Sequence, residues 1–94
     1  MWRLLSKEEF EKLNKDGIFI FYSEKCWTCH DHILEMKSHF PEFFIVNYDL
    51  DVDYYESIGI TQTPLTVVYK SNENIYQKAG MFFDLQLKEL RRHL

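Results

Sequence analysis

The chain has 94 residues and a formal charge of −4 at neutral pH, with 46 % apolar and 17 % aromatic residues but only 3 glycines and 2 prolines. That is material for one packed core, and it excludes disordered, collagen-like and linker-rich architectures. The acidic balance argues against nucleic acid or an anionic membrane surface as the main partner, and no stretch approaches the ~20 apolar residues that cross a bilayer.

The first residues, through Glu8, lack the apolar run and small-residue cleavage site of a secretory signal. The expectation is therefore a single domain, residues 1–94, in the cytoplasm. In that reducing compartment a static disulfide is the least expected use of the 2 cysteines.

The chain opens with a short strand ending at Leu4-Leu5, followed by Ser6-Lys7-Glu8-Glu9. This reads as a capping box, with Leu5 able to staple against Phe10. The helix it starts carries Phe10 and Leu13 on one face and is expected to end near Gly17 as a C-cap. Ile18–Tyr22, Phe43–Tyr48 and Leu65–Tyr69 are apolar, β-favouring runs without polar alternation, the pattern of strands buried on both faces. Between the first two, Cys29, Ile33, Met36 and Phe40 repeat at helical spacing until Pro41 stops the helix. Asp51–Ile58 reads as a short helix ending at Gly59.

The polar cluster Lys70–Asn74 predicts a hairpin to an edge strand, Ile75–Ala79. A last helix from about Asp84 places Leu87, Leu90 and Leu94 on one stripe, with Arg91, Arg92 and His93 where the helix dipole favours positive charge. Strands separated by helices imply an α/β sheet with parallel pairing and helices on both faces.

The chemistry is concentrated in Lys25-Cys26-Trp27-Thr28-Cys29-His30, directly after a buried strand and at the start of an amphipathic helix. Two cysteines two residues apart on a first helical turn can bring their sulfurs together. Cys26 falls at the helix terminus, where free N–H groups and the dipole favour a thiolate. Cys29 shares the core stripe of Ile33 and Met36 and should remain a thiol. The mechanism that follows is attack by Cys26 on a disulfide and resolution of the mixed disulfide by Cys29.

This strand–Cys-x-x-Cys–helix unit, with Thr63-Pro64 opening the third strand run and Gly80–Leu90 as a glycine loop and last helix, resembles the thioredoxin-like family over essentially the whole chain. The resemblance implies a thioredoxin fold, with a central mixed sheet of four to five strands flanked by helices. It makes Cys26 the nucleophile and Cys29 the resolving thiol, and it makes Pro64 the cis-proline. Trp27, Thr63 and Gly80 would border the groove for a substrate peptide. The implied activity is that of a monomeric protein-disulfide reductase without metal or organic cofactor. Its electrons would come from an NADPH-dependent thioredoxin reductase or from glutathione, and neither nucleic acid nor membrane would be a partner.

The sequence also departs from that family. Trp27-Thr28 replaces the usual Gly-Pro, so a hydroxyl gains access to the nucleophile. The buried aspartate expected six residues before the first cysteine is Ile20, and the lysine that accompanies it is Ile45. With that carboxylate gone, solvent or Glu24 is the candidate acceptor for the Cys29 proton. Tyr22-Ser23 leans toward glutaredoxins, but their Gly-Gly and Cys-Asp-Asp glutathione signature is absent, and only Asp84 remains to cap that ligand.

Rival readings exist for the same residues. Cys26–His30 fits the attachment motif of c-type haem, with His30 proximal and Met81 distal. The mainly helical make-up of small cytochromes weighs against it. Cys26, Cys29, His30 and His32 cluster as zinc ligands do, yet helical positions 29, 30 and 32 point about 100° apart per residue, so only a two-ligand half-site bridging copies survives. A redox-inactive docking module is the third alternative. Asp49, Asp51 and Asp53 alternate without the glycine or closing glutamate of a calcium loop and read as a solvated loop and helix cap.

Overall fold

The computed structural model describes residues 2–94. In chain order the elements are β1 (Trp2–Leu5), α1 (Lys7–Lys12), β2 (Gly17–Tyr22), α2 (Trp27–His39), β3 (Phe43–Asn47), a 3₁₀ turn (Tyr48–Asp51), α3 (Val52–Ser57), β4 (Leu65–Lys70), β5 (Glu73–Ala79) and α4 (Asp84–Arg92). The five strands form one mixed sheet in the order β1-β3-β2-β4-β5.

The capping box forms as the sequence predicts. Ser6 Oγ accepts the Glu9 N–H at 3.1 Å, and the Glu9 carboxylate accepts the Ser6 N–H at 3.1 Å. The helix is shorter than expected, however, and ends with Leu13 as its C-cap. Gly17 instead opens β2 at φ +105°, a backbone angle that suits glycine.

Parallel pairing holds for β1, β3 and β2. It fails for β4, which runs antiparallel to β2 and forms a hairpin with β5. The physical reason is the connection. α3 is a short helix of 6 residues, and the stretch from Gly59 to Pro64 brings the chain back at the same end of the sheet instead of crossing over it. The hairpin turns at Ser71 and Asn72, both at positive φ, and β5 is the more polar edge strand that the composition predicts.

Apolar runs buried on both faces give the sheet two cores. Ile18, Ile20, Tyr22, Ile45 and Val68 face α2 and α4, meeting Cys29, Ile33, Met36, Leu87 and Leu90. Phe19, Phe21, Val46, Leu65 and Val67 face the other way, onto Phe10 of α1 and Tyr55 of α3. Phe10 carries that second layer. Its ring is 1 % exposed and stands edge-on to Phe19, Phe21 and Tyr55 at centroid distances of 5.9, 5.5 and 5.9 Å, the favourable arrangement for aromatic quadrupoles.

Leu87 and Leu90 are buried as the stripe predicts, but Leu94 lies beyond the end of α4 and is 56 % exposed. His93, placed by the sequence where the helix dipole favours positive charge, is half-buried and stacks on Tyr76 at 4.6 Å. No helix among the described residues is long and apolar enough to cross a membrane.

Candidate functional site

α2 begins on its own nucleophile. Cys26 is the N-cap, extended at φ −102°, ψ 107°, and its sulfur accepts the N–H of Cys29 at 3.2 Å. A helix start leaves its first N–H groups unpaired and carries the positive end of the dipole. The first turn of α2 holds no acidic residue to neutralise that field. Thr28 adds a second contact, with Oγ1 3.2 Å from the Cys26 sulfur. Once the sulfur is a thiolate it has no proton to give, so the Thr28 hydroxyl must be the donor.

These contacts favour the thiolate form of Cys26. Partial burial opposes the thiolate, but the hydrogen bonds from the Cys29 thiol, the Thr28 hydroxyl and the Cys29 N–H outweigh it, and the group sits below its ordinary value. Cys29 is the reverse case. It is 0 % exposed, and burial together with its hydrogen bond to the Cys26 sulfur pushes the thiol up to about 11. Both cysteines are free, with Cys26 partly accessible.

The loop before the helix is clamped from β3's side of the sheet. Ser23 donates its hydroxyl to the Asp49 carboxylate at 2.8 Å, the Glu24 N–H donates to the same carboxylate at 3.0 Å, and the Ser23 carbonyl accepts the Cys26 N–H at 3.1 Å. Asp49 is therefore no idle loop carboxylate. Asp51 behaves as the cap the sequence predicts, accepting the Tyr54 N–H at 3.2 Å.

Thr63-Pro64 reaches the cysteines from the other direction. The peptide between them is cis, and the Thr63 carbonyl lies 4.0 Å from the Cys26 sulfur. Gly80, at φ +87°, donates its N–H to the Pro64 carbonyl at 2.9 Å. The fold thus brings Cys26, Cys29, Thr63, Pro64 and Gly80 to one end of the sheet. Trp27 projects beside them, 88 % exposed, and with Glu24, Lys25 and His30 lines a shallow hollow of about 230 Å³. An indole this exposed contributes nothing to the core and is available as contact surface.

Glu24 is exposed, and its carboxylate accepts the Tyr22 hydroxyl at 3.3 Å. His30 is also exposed, with Nε2 3.4 Å from the Glu24 carbonyl. Among the described residues no group of three histidine, cysteine or acidic side chains is arranged to hold a metal ion. A larger, mainly apolar cavity of about 410 Å³, between Gly17, Phe40, Phe43 and Leu94, contains neither cysteine.

Beneath the cysteines lies a pair that the sequence reading did not single out as a unit. His32, 0 % exposed, meets Thr66 of β4, also 0 % exposed, with Nε2 2.7 Å from the hydroxyl. Thr66 is the cross-strand partner of Ile20, which is in register with Ile45 on its other side. The ring packs on Phe82 at 4.9 Å, and its Nδ1 has no hydrogen-bond partner among the described residues. Burial lowers the imidazole from 6.5 to about 4, only partly offset by the Glu35 carboxylate, so the ring is neutral near pH 7. A signal was present in the sequence: 29, 32 and 36 are spaced three and four apart, the same helical stripe as the buried thiol.

No family model matches the sequence, and no curated protein matches it by sequence. Solved structures do match in shape. A thioredoxin from Fasciola hepatica superposes with a TM-score of 0.80 at 21 % identity, covering 100 % of both chains. A thioredoxin from Plasmodium falciparum gives 0.79 at 21 % identity, again over 100 % of both. A third, from Nicotiana alata, gives 0.79 at 18 % identity, covering 98 % of this chain and 91 % of the other. The chain has the thioredoxin fold.

Proposed function

We propose that this thioredoxin-fold chain is a small dithiol–disulfide oxidoreductase of the cytoplasm that reduces disulfides in protein substrates. The observation that carries the reading is the asymmetry of its two thiols: a partly accessible sulfur that caps a helix and is held low, and a buried one pushed up to about 11. That is the division of labour the exchange requires, because the attacking sulfur must be ionised at ambient pH while its neighbour must not compete.

In the forward direction the Cys26 thiolate attacks one sulfur of a substrate disulfide, and the other sulfur leaves as a thiolate. The mixed disulfide is then attacked by Cys29, which closes the Cys26–Cys29 bond and releases the second substrate thiol. Two electrons pass from the protein to the substrate. Trp27, Thr63, Pro64 and Gly80 lie at the same end of the sheet as the attacking sulfur and are the residues we assign to docking the substrate chain, with the backbone of Thr63 assigned to pairing.

No metal or organic cofactor enters this cycle. The monomer is recharged by an NADPH-dependent thioredoxin reductase, or by glutathione, for which the exposed Asp84 at the start of α4 is the available anchor.

The test is reduction of insulin disulfides by wild type, Cys26→Ser and Cys29→Ser, with dithiothreitol, the reductase or glutathione as electron source. Wild type is expected to turn over and Cys26→Ser to be inactive. Equal, sluggish alkylation of both thiols near neutrality would overturn the reading and favour a redox-inactive binding module.

A further inference from the structure

We propose that His32 takes the proton from Cys29 in the resolving step, an assignment that rests on the oxidoreductase reading above. A thiol held at about 11 is almost wholly protonated near pH 7, and a protonated sulfur does not attack a disulfide. Cys29 is fully buried, so a base that serves it promptly has to share its interior.

His32 is the base so placed. It sits three residues on along α2, one turn away on the same buried face, where Cβ atoms are about 5–6 Å apart. The two side chains thus share one face, where direct contact or one bridging water would give the range in which general bases operate. Its Nδ1 is buried without a partner among the described residues, whereas Nε2 is engaged by Thr66 at 2.7 Å. If Nε2–H donates to the Thr66 oxygen, Nδ1 is a bare lone pair. The other tautomer would strand an N–H in the core, the rarer kind of orphan. Thr66 thus acts as the positioning residue that fixes the tautomer.

The surroundings keep the ring a free base. Ile20, Ile45, Leu87 and Leu90 present no charge to it from β2, β3 and α4. The ionisable side chains packed on that core are Tyr22 from β2, next to Glu24, Cys26 at the start of α2, and Tyr76 from β5, beside Glu89 of α4. On its own helix stand Cys29 and Glu35, and the Glu35 charge is the one that bears on the ring among the described residues. The low basicity is no bar. A base that titrates near 4 has the strength of an ordinary carboxylate, and it is unprotonated throughout the working range.

The step balances as follows. The Cys29 S–H bond breaks and its proton goes to Nδ1. The sulfur's electron pair forms the bond to the Cys26 sulfur. The Cys26–substrate bond breaks with its pair on the departing sulfur. The imidazolium then passes the proton to that thiolate or to solvent, returning His32 to neutrality.

The test follows reaction with dithiobis-nitrobenzoate by stopped flow. One coloured thiolate is released when Cys26 attacks and a second when Cys29 resolves. In wild type the second phase is expected to hold within about twofold from about pH 6 to about pH 9, because a resident base removes the proton at every pH in that span. In His32→Gln, whose amide keeps a donor toward Thr66 but offers no basic nitrogen, the second phase is expected to be about 100-fold slower near pH 7. It should also climb about tenfold per pH unit, as hydroxide takes over. The first phase should change by less than about twofold. A merely structural role would lower the rate without steepening its pH dependence.

His32→Asn serves if the glutamine variant does not fold. A wild-type second phase that climbs tenfold per unit, or a His32→Gln profile as flat as wild type, overturns the assignment while leaving the oxidoreductase standing. Glu24→Gln, run in parallel, then reports whether that carboxylate is the acceptor. Absence of any second phase in wild type overturns the oxidoreductase reading itself.

Discussion

Acidification should destabilise the protein through His32 over a window that can be read from its environment. The imidazole titrates at 6.5 when exposed and is lowered to about 4 by burial against Phe82 and the β4 core. Between those values the unfolded chain binds a proton at this position and the native one does not. Stability therefore rises with pH across the window: the contribution is fully present above 6.5 and is lost as the pH falls toward 4. At about 1.36 kcal/mol per pH unit the interval corresponds to about 3 kcal/mol. That is a large share of the 5–15 kcal/mol expected of a small domain. With urea slopes of about 1–3 kcal/mol per molar, the unfolding midpoint should drop by about 1–3 M between pH 7 and pH 4. Carboxylates titrate in the same range, so the measurement is the difference between wild type and His32→Gln, each followed by urea unfolding at several pH values. The variant should begin less stable and lose distinctly less on acidification. Parallel curves for the two proteins would refute the reasoning, since they would mean that the buried ring is not the group being charged.

Four further outcomes follow from the same geometry. Thr28→Val removes the hydroxyl 3.2 Å from the Cys26 sulfur, and iodoacetamide alkylation near pH 6 should slow about fivefold for a loss of about 1 kcal/mol at a partly exposed hydrogen bond to a charged group. Thr28→Ser should restore the rate, and an unchanged rate in the valine variant would remove Thr28 from the activation of Cys26. Cys29→Ser should accumulate a mixed disulfide with substrate, visible as added mass under non-reducing conditions, because the resolving sulfur is gone. Phe10→Ala should cost about 3–5 kcal/mol in urea unfolding, while the Cys26 alkylation rate stays unchanged, since Phe10 packs on the face of the sheet away from α2. The double change His32→Leu with Thr66→Val should leave stability near pH 7 equal or higher, because both polar partners are replaced together, yet it should slow the resolving step as His32→Gln does.

Much of the fold was legible because local signals agreed with one another. The Ser6–Glu9 box, the helical stripe from Cys29 to Phe40 and the uninterrupted apolar strands each specify an element without reference to the rest of the chain. The direction of β4 was not legible, since pairing sense depends on where a connection returns the chain, and residues 59–64 carry no periodic pattern that says so. The same distinction governs the site. Cys26 and Cys29 announce themselves by spacing, and their unlike burial follows from helical phase. The clamp by Asp49 joins residues 25 apart in sequence, and the His32–Thr66 contact joins residues 34 apart, so neither partner had a reason to stand out alone. Thr66 in particular reads as one more β-favouring residue within an apolar strand.

Ile20 and Ile45 put two apolar side chains in the core beside Cys29, where the family resemblance implies a buried aspartate and its lysine. The core there is polar at one remove. The hydroxyl of Thr66 lies across the ladder from Ile20, and the ring of His32 comes down onto it from α2. The exchange makes physical sense. A buried carboxylate must be compensated at a cost of several kcal/mol, whereas a neutral imidazole and a hydroxyl satisfy one another with a single hydrogen bond. What that bond does not satisfy is Nδ1. An unpaired buried polar atom costs about 1–3 kcal/mol, and leucine at position 32 would fill the same stripe without it. Packing therefore gives no reason for histidine here. A sulfur that must shed a proton inside the core, one helical turn away, does.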